Sequence, residues 1–196
     1  MPRPRKPREI EVVDLFCGIG GLSYGLKTSG FRILVGYDLD GTCEYAYEHN
    51  NNASFQYRDI KSVTSSEIKS LYSKDSIKVL AGCAPCQPFS SYSHSKKEKD
   101  PNKYDLLYEF GRLVKEVKPD IVTMENVTQI VNFKEKPVLQ DFINTLTSTG
   151  YEVSVNKVFC PDYVVPQTRK RLVLLASRLG SITLIPPTHT RENYLT

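Results

Sequence analysis

Three short stretches of this 196-residue sequence carry side chains that could do chemistry together. The first, Ala81-Gly82-Cys83-Ala84-Pro85-Cys86-Gln87-Pro88-Phe89-Ser90, holds two thiols. A thiolate at Cys86 is a nucleophile if nearby cations or helix N-termini lower its pKa. The second stretch, Glu125-Asn126-Val127, offers a carboxyl, and the third, Gln167-Thr168-Arg169-Lys170-Arg171, offers two guanidiniums. In an extended chain Arg169 and Arg171 fall on the same side. Taken alone, the first stretch has two other readings. Cys83 to Cys86 has the C-x-x-C spacing of thioredoxin-like redox proteins, and small buried thiols are ordinary core residues. A thiol, a carboxyl and guanidiniums at one rim fit attack on a polar heterocycle better than disulfide exchange.

A second group of residues has the types needed to hold a ligand. Asp14-Leu15-Phe16-Cys17-Gly18-Ile19-Gly20-Gly21 joins an apolar run to a helical pattern. Glycines there let the backbone approach a ligand, and the following helix start offers free N–H groups. The stretch is close to a dinucleotide fingerprint but lacks its later spaced glycine. Carboxylates follow at Asp38 and Asp59. An acid after the second strand of a doubly wound sheet is placed to accept ribose hydroxyls. The pattern favours an adenosine-containing cofactor, with a plain tight turn and surface carboxylates as the alternative.

The elements that must position these groups follow from periodicity. Residues 10–16, 33–37, 54–57, 77–81 and 120–124 read as short buried strands. Helical patterns lie between them: Leu22 and Leu26 up to Gly30, residues 41–50, residues 66–72 with Ser65 or Ser66 as cap, and a stripe from Leu106 to Val117 stopped before Pro119. A further helix spans 138–146 and ends by Gly150, after which 151–159 and 171–177 read as strands with no helix between. Alternation of this kind predicts an α/β fold with a doubly wound, mostly parallel sheet, one of the last two strands running antiparallel. Its ligands belong at the C-terminal strand ends, where the groups above lie, the two guanidiniums reaching that rim from the start of the last strand if it runs antiparallel. Residues 1–9 read as a basic tail, 10–180 as the catalytic domain, and 181–196, with Pro186 and Pro187, as the start of a linker.

Composition narrows the class. Hydrophobic residues make up 40% and charged residues 24%, as in an ordinary globular protein, and the apolar runs are too short to span a bilayer. The N-terminus has no apolar leader segment, so a cytoplasmic or nuclear protein is expected. Net charge is only +4, but basic residues cluster at Arg3, Arg5, Lys6 and Arg8 and again at Lys96, Lys97, Lys99 and Lys103. Such clusters can meet phosphates. Five cysteines, an odd number, are expected to be reduced thiols, and a single close pair with three scattered histidines predicts no metal site.

In this order, the Asp14–Gly21 stretch, Pro85-Cys86-Gln87-Pro88-Phe89-Ser90, Glu125-Asn126-Val127 and Gln167–Arg171 resemble the motifs of the DNA cytosine-5 methyltransferase family. The resemblance extends from Asp14 to Arg171, most of the chain. It implies the Rossmann-like class I methyltransferase fold, S-adenosyl-L-methionine as cofactor and double-stranded DNA as partner, as in restriction–modification systems. Cys86 would add to C6 of a cytosine flipped out of the duplex, making C5 able to accept a methyl group. Glu125 would hold N3 and the exocyclic amine, with Arg169 and Arg171 orienting the base. Phe16, Gly18, Ile19, Gly20, Gly21, Pro85 and Leu106 would line the cofactor. Asp38 would take the ribose, and Asp59 with Ile60 would face the adenine. Leu39 stands where the family often carries a bulky aromatic. Gln87, Ser90, Ser91, Lys96 and Lys97 would contact DNA from a polar lid. The family's target-recognition region and returning final segment, which follow the arginine motif, are not in the sequence. A C-terminal part or partner subunit is therefore expected to supply specific DNA binding. Two other readings stay open: cytosine methylation in tRNA, and a cofactor- or DNA-binding module without activity.

Overall fold

The computed structural model describes residues 7–85, 105–132 and 137–194. The expected site residues Cys86, Gln87, Ser90, Ser91, Lys96 and Lys97 lie outside the described residues, as does most of the basic tail.

Seven strands form one sheet: β1 (Ile10–Leu15), β2 (Arg32–Asp38), β3 (Ser54–Tyr57), β4 (Ile77–Gly82), β5 (Ile121–Asn126), β6 (Glu152–Phe159) and β7 (Lys170–Ser177). Their order is β3-β2-β1-β4-β5-β7-β6. The first five strands are parallel, and β7 runs antiparallel to both its neighbours. The predicted reversal near the C-terminal edge is present, on the strand next to the edge. Central strands of a parallel sheet are covered on both faces, so β1 is buried from Glu11 onward, with one acid on each side of its pleat among apolar residues.

Five helices are α1 (Gly21–Thr28), α2 (Glu44–Asn51), α3 (Ser65–Leu71), α4 (Asp105–Val117) and α5 (Val138–Ser148). The stripe on α4, including Leu107, Phe110, Leu113 and Val114, packs with α3 and α5 against Val13, Leu80, Val122, Met124 and Leu174. On the other face α1 and α2 cover Val12, Ile33, Phe55, Val79 and Ala81 through Leu22, Leu26 and Tyr47. Cap placement differs from expectation: Thr64, not Ser65 or Ser66, caps α3, its Oγ1 accepting from the Glu67 N–H at 3.2 Å. A four-residue 3₁₀ turn, Cys160–Tyr163, also lies between β6 and β7. Residues 185–194 fold back on it. Tyr163 Oη donates to the Ile185 carbonyl, the N–H groups of Thr188 and His189 donate to the Asp162 carbonyl, and the Tyr194 ring sits edge-on to Phe159.

Candidate active site

The turn leaving β1 is left-handed at three points: Phe16 (φ 57°), Gly18 (φ 50°) and Gly20 (φ 86°). The Gly18 N–H donates to Asp38 Oδ2 at 2.8 Å, and the Asp40 N–H donates to Asp38 Oδ1 at 2.9 Å. Each carboxylate oxygen can accept more than one bond, so Asp38 keeps capacity for two ligand hydroxyls. A Cβ built on Gly18 or Gly21 would meet no atom within 4 Å, so both border open space. Gly20 instead packs: its Cβ would lie 2.2 Å from Asn51 Nδ2 on α2. Ile19 and Leu39 beside the turn are 66% and 62% exposed, unusual for aliphatic side chains on one rim. Phe16 is half-buried edge-on to Phe110. Asp59 caps the next turn by accepting the Lys61 N–H at 2.9 Å, and Ile60 is buried behind it. Leu106 is half-buried and Pro85 exposed. A carboxylate, open glycine backbone and uncovered aliphatics on one rim match the donor and acceptor needs of an adenosine-type ligand.

Glu125 is the last residue but one of β5, at the same end of the sheet. Arg171 reaches it from β7, with Nε 2.6 Å from Glu125 Oε1. The contact follows from register: Glu125 pairs with Val173, and Arg171, two residues earlier, faces the same side. Arg169 does not join them. The Arg169 N–H donates to the Gln167 carbonyl at 2.7 Å and its own carbonyl accepts from the Cys160 N–H, so the chain turns there and leaves the side chain exposed.

The end of β4 completes this rim. Gly82 pairs with Met124, which brings Cys83 level with Glu125 on the adjoining strand. The Cys83 N–H donates to the Leu15 carbonyl at 3.2 Å, and Asn126 Nδ2 donates to the Ala84 carbonyl at 3.4 Å. Burial, then the charges of Asp14 and Glu125, push the Cys83 thiol pKa up. A redox C-x-x-C pair needs a lowered thiol pKa, so the thioredoxin-like reading loses its chemistry at this residue.

Over residues 10–194 the sequence matches the family model described as C-5 cytosine-specific DNA methylase. The chain belongs to this family. Type II methylase M.HgiDII of Herpetosiphon aurantiacus is 50% identical over 185 residues, covering 94% of this chain and 52% of the relative. Type II methyltransferase M.XorII of Xanthomonas oryzae pv. oryzae is 32% identical over 173 residues, 86% of this chain and 40% of the relative. The chain thus spans about half the length, or less, of these curated relatives. Among solved structures, one described as a candidate DNA modification methyltransferase of an E. coli prophage superposes with a TM-score of 0.74 at 27% identity. It covers 86% of this chain and 47% of that one.

Beneath the methylase's glycine turn lies a buried polar layer that sequence reasoning missed. Ser23 Oγ donates to Asp14 Oδ2 at 2.6 Å and lies 3.0 Å from Tyr47 Oη. Asn51 Nδ2 donates to the carbonyls of Tyr47 (2.9 Å) and Gly20 (3.4 Å). Asp14 is fully buried, and its Oδ1 has no hydrogen-bond partner. Burial foremost, and the charge of Asp38, raise its pKa to about 7. A carboxyl inside the apolar run Val12-Val13-Asp14-Leu15 was the available signal, because a buried acid demands partners.

Proposed function

We propose that this chain is the cofactor-binding and catalytic part of a DNA cytosine-5 methyltransferase that uses S-adenosyl-L-methionine. The observation that supports it most is the Glu125–Arg171 pair beside the end of β4. Cys83, Ala84 and Pro85, which precede Cys86 in the sequence, leave that strand end on the same rim as the Gly18–Asp38 turn. When bound, S-adenosyl-L-methionine supplies a methyl group on an electrophilic sulfonium. Asp38 binds its ribose, the glycine turn lets its amino-acid end approach the backbone, and Phe16, Ile19, Leu39, Asp59, Ile60, Pro85 and Leu106 enclose it. The Cys86 thiolate adds to C6 of a flipped-out cytosine as N3 takes up a proton; C5 of the resulting enamine bonds to the methyl group as the sulfur–methyl bond breaks, and loss of the C5 proton then expels the thiolate. Glu125 accepts a hydrogen bond from the exocyclic amine and delivers the proton that N3 takes up. Arg171 fixes that carboxyl and, with Arg169, orients the base and its carbonyl.

DNA is favoured over RNA as substrate because the matching family is one of DNA methylases and the relative at 50% identity is a Type II methylase. In this reading residues 10–180 are the catalytic domain and 181–196 lead toward target recognition, supplied by a C-terminal part or second subunit. Gln87, Ser90, Ser91, Lys96 and Lys97 contact the duplex. The protein works in the bacterial cytoplasm beside a restriction system, or in a nucleus. No helix among the described residues is long and apolar enough to cross a membrane.

The test uses duplex DNA carrying 5-fluorocytosine, S-adenosyl-L-methionine, and the chain joined to the remaining half of M.HgiDII. A denaturation-resistant protein–DNA complex is expected, and Cys86→Ser should abolish it. Labelled methyl transfer to DNA without that complex would overturn the covalent step. Transfer to tRNA but to no duplex would overturn the choice of substrate.

A further inference from the structure

Cys83 is a thiol that the proposed reaction does not use, yet it sits in the row that the reaction depends on. Gly82 and Met124 form the last pair of the β4–β5 ladder, and the residues that follow them, Cys83 and Glu125, lie close enough for the Glu125 charge to act on the thiol. Side chains alternate along strands, so Thr123 shares a face of the sheet with Glu125, and its β4 partner Ala81 lies on that face too. Arg171 joins that face from the other side, with its Nε on Glu125 Oε1. Both flanks of Cys83 are anchored: its N–H bonds to the Leu15 carbonyl, and the Ala84 carbonyl accepts from Asn126.

We propose that Cys83 is a positioning residue for Glu125, its S–H donating to the carboxylate from the β4 side while Arg171 holds it from β7. A glutamate side chain has three rotatable bonds, and one ion pair leaves rotations about the Oε1 contact open. A second donor, from the opposite strand, removes them. The thiol's raised pKa, caused first by burial and then by the charges of Asp14 and Glu125, keeps it protonated and therefore a donor. A thiol is a weak donor, so it orients the carboxyl without neutralising it, as a lysine there would. The catalytic consequence rests on the methyltransferase reading; the contact itself does not.

The experiment separates the two. Difference Raman spectra of wild type minus Cys83→Ser isolate the S–H stretching band of Cys83. In Glu125→Gln, which offers a weaker acceptor, that band should move to higher frequency. In the M.HgiDII-completed protein, Cys83→Ala should lower kcat about tenfold with KM for DNA within about twofold, and Cys83→Ser should recover most of the loss. An S–H band unmoved by Glu125→Gln overturns the contact, whatever the activities. A moved band with unchanged kcat in Cys83→Ala overturns the positioning role. A moved band in a completed protein that methylates no DNA sinks the reaction reading and leaves the contact standing.

Discussion

Arg171 meets Glu125 across the antiparallel ladder of β5 and β7, Nε to Oε1 at 2.6 Å, with the two side chains 22% and 32% exposed. Exposure of that degree screens the pair, so it contributes little to folding. Its value lies in fixing a carboxyl on the rim. Arg171→Ala should therefore shift the urea unfolding free energy by less than about 1 kcal/mol. Methyl transfer by the chain joined to the C-terminal half of M.HgiDII should fall about a hundredfold. A large stability loss with activity intact would assign the pair to the fold instead.

Asp14 makes a pH-dependent prediction. Its folded pKa, about 7, stands above the ordinary 3.8. Between those values the unfolded chain has released the proton and the folded chain retains it, so this group's contribution to stability declines as pH rises through that window and levels off above about 7. Asp14→Asn removes the titration. Relative to wild type, the variant should gain about 3 kcal/mol of unfolding free energy between pH 5 and pH 8, from about two pH units at 1.4 kcal/mol each. Chemical denaturation of both proteins at the two pH values reads it directly. Parallel curves would show that Asp14 is ionised throughout.

Val164 ends the 3₁₀ turn before the arginine motif with φ 68° and ψ 9°. That left-handed conformation is a genuine outlier for a β-branched residue and costs roughly 1–2 kcal/mol or more. Val164→Gly removes the clash but adds freedom to the unfolded chain, which costs back about 0.5–1 kcal/mol. The net expectation is stabilisation by about 1 kcal/mol, seen as a higher Tm. A lower Tm would mean that the side chain packs more strongly than its 44% exposure indicates.

Two neighbouring glycines should respond differently. A methyl on Gly20 would sit 2.2 Å from Asn51 Nδ2 and 2.8 Å from the Tyr47 ring, at φ 86°. Gly20→Ala should destabilise by about 3 kcal/mol through overpacking and strain together. Gly21→Ala meets no atom within 4 Å and should change unfolding free energy by under about 0.5 kcal/mol. Equal losses at both would refute the packing account of Gly20.

Much of this was legible before folding, and what was not has identifiable causes. Buried parallel strands announce themselves as short β-branched runs, so β1 to β5 were found within two residues at either end. The cap of α3 was misplaced because Thr64, Ser65 and Ser66 all carry hydroxyls, and only Glu67 three residues beyond Thr64 selects among them. Glu125 and Arg171 were recognisable by type, but excluding Arg169 from their contact required the Cys160–Arg169 backbone bond, a pairing set by how β6 meets β7. Cys83 looked like half of a redox pair because spacing along the chain says nothing of the strand beside it. The Asp14–Ser23–Tyr47 layer joins a strand to two helices and exists only once α1 and α2 are seated.

The reversal of β7 decides what changes in chain length the rim can survive. Six residue pairs lock β7 to β5, from Ile121 with Ser177 to Asn126 with Leu172. Residues inserted among 164–168 would lengthen a surface loop and leave the guanidinium of Arg171 where it is. Deleting a single residue inside β7 would slip the ladder by one step and send every side chain before the gap through the sheet to its opposite side. The exposed loop can thus change length, while loss of a single residue from the strand beside it would strip Glu125 of its cation.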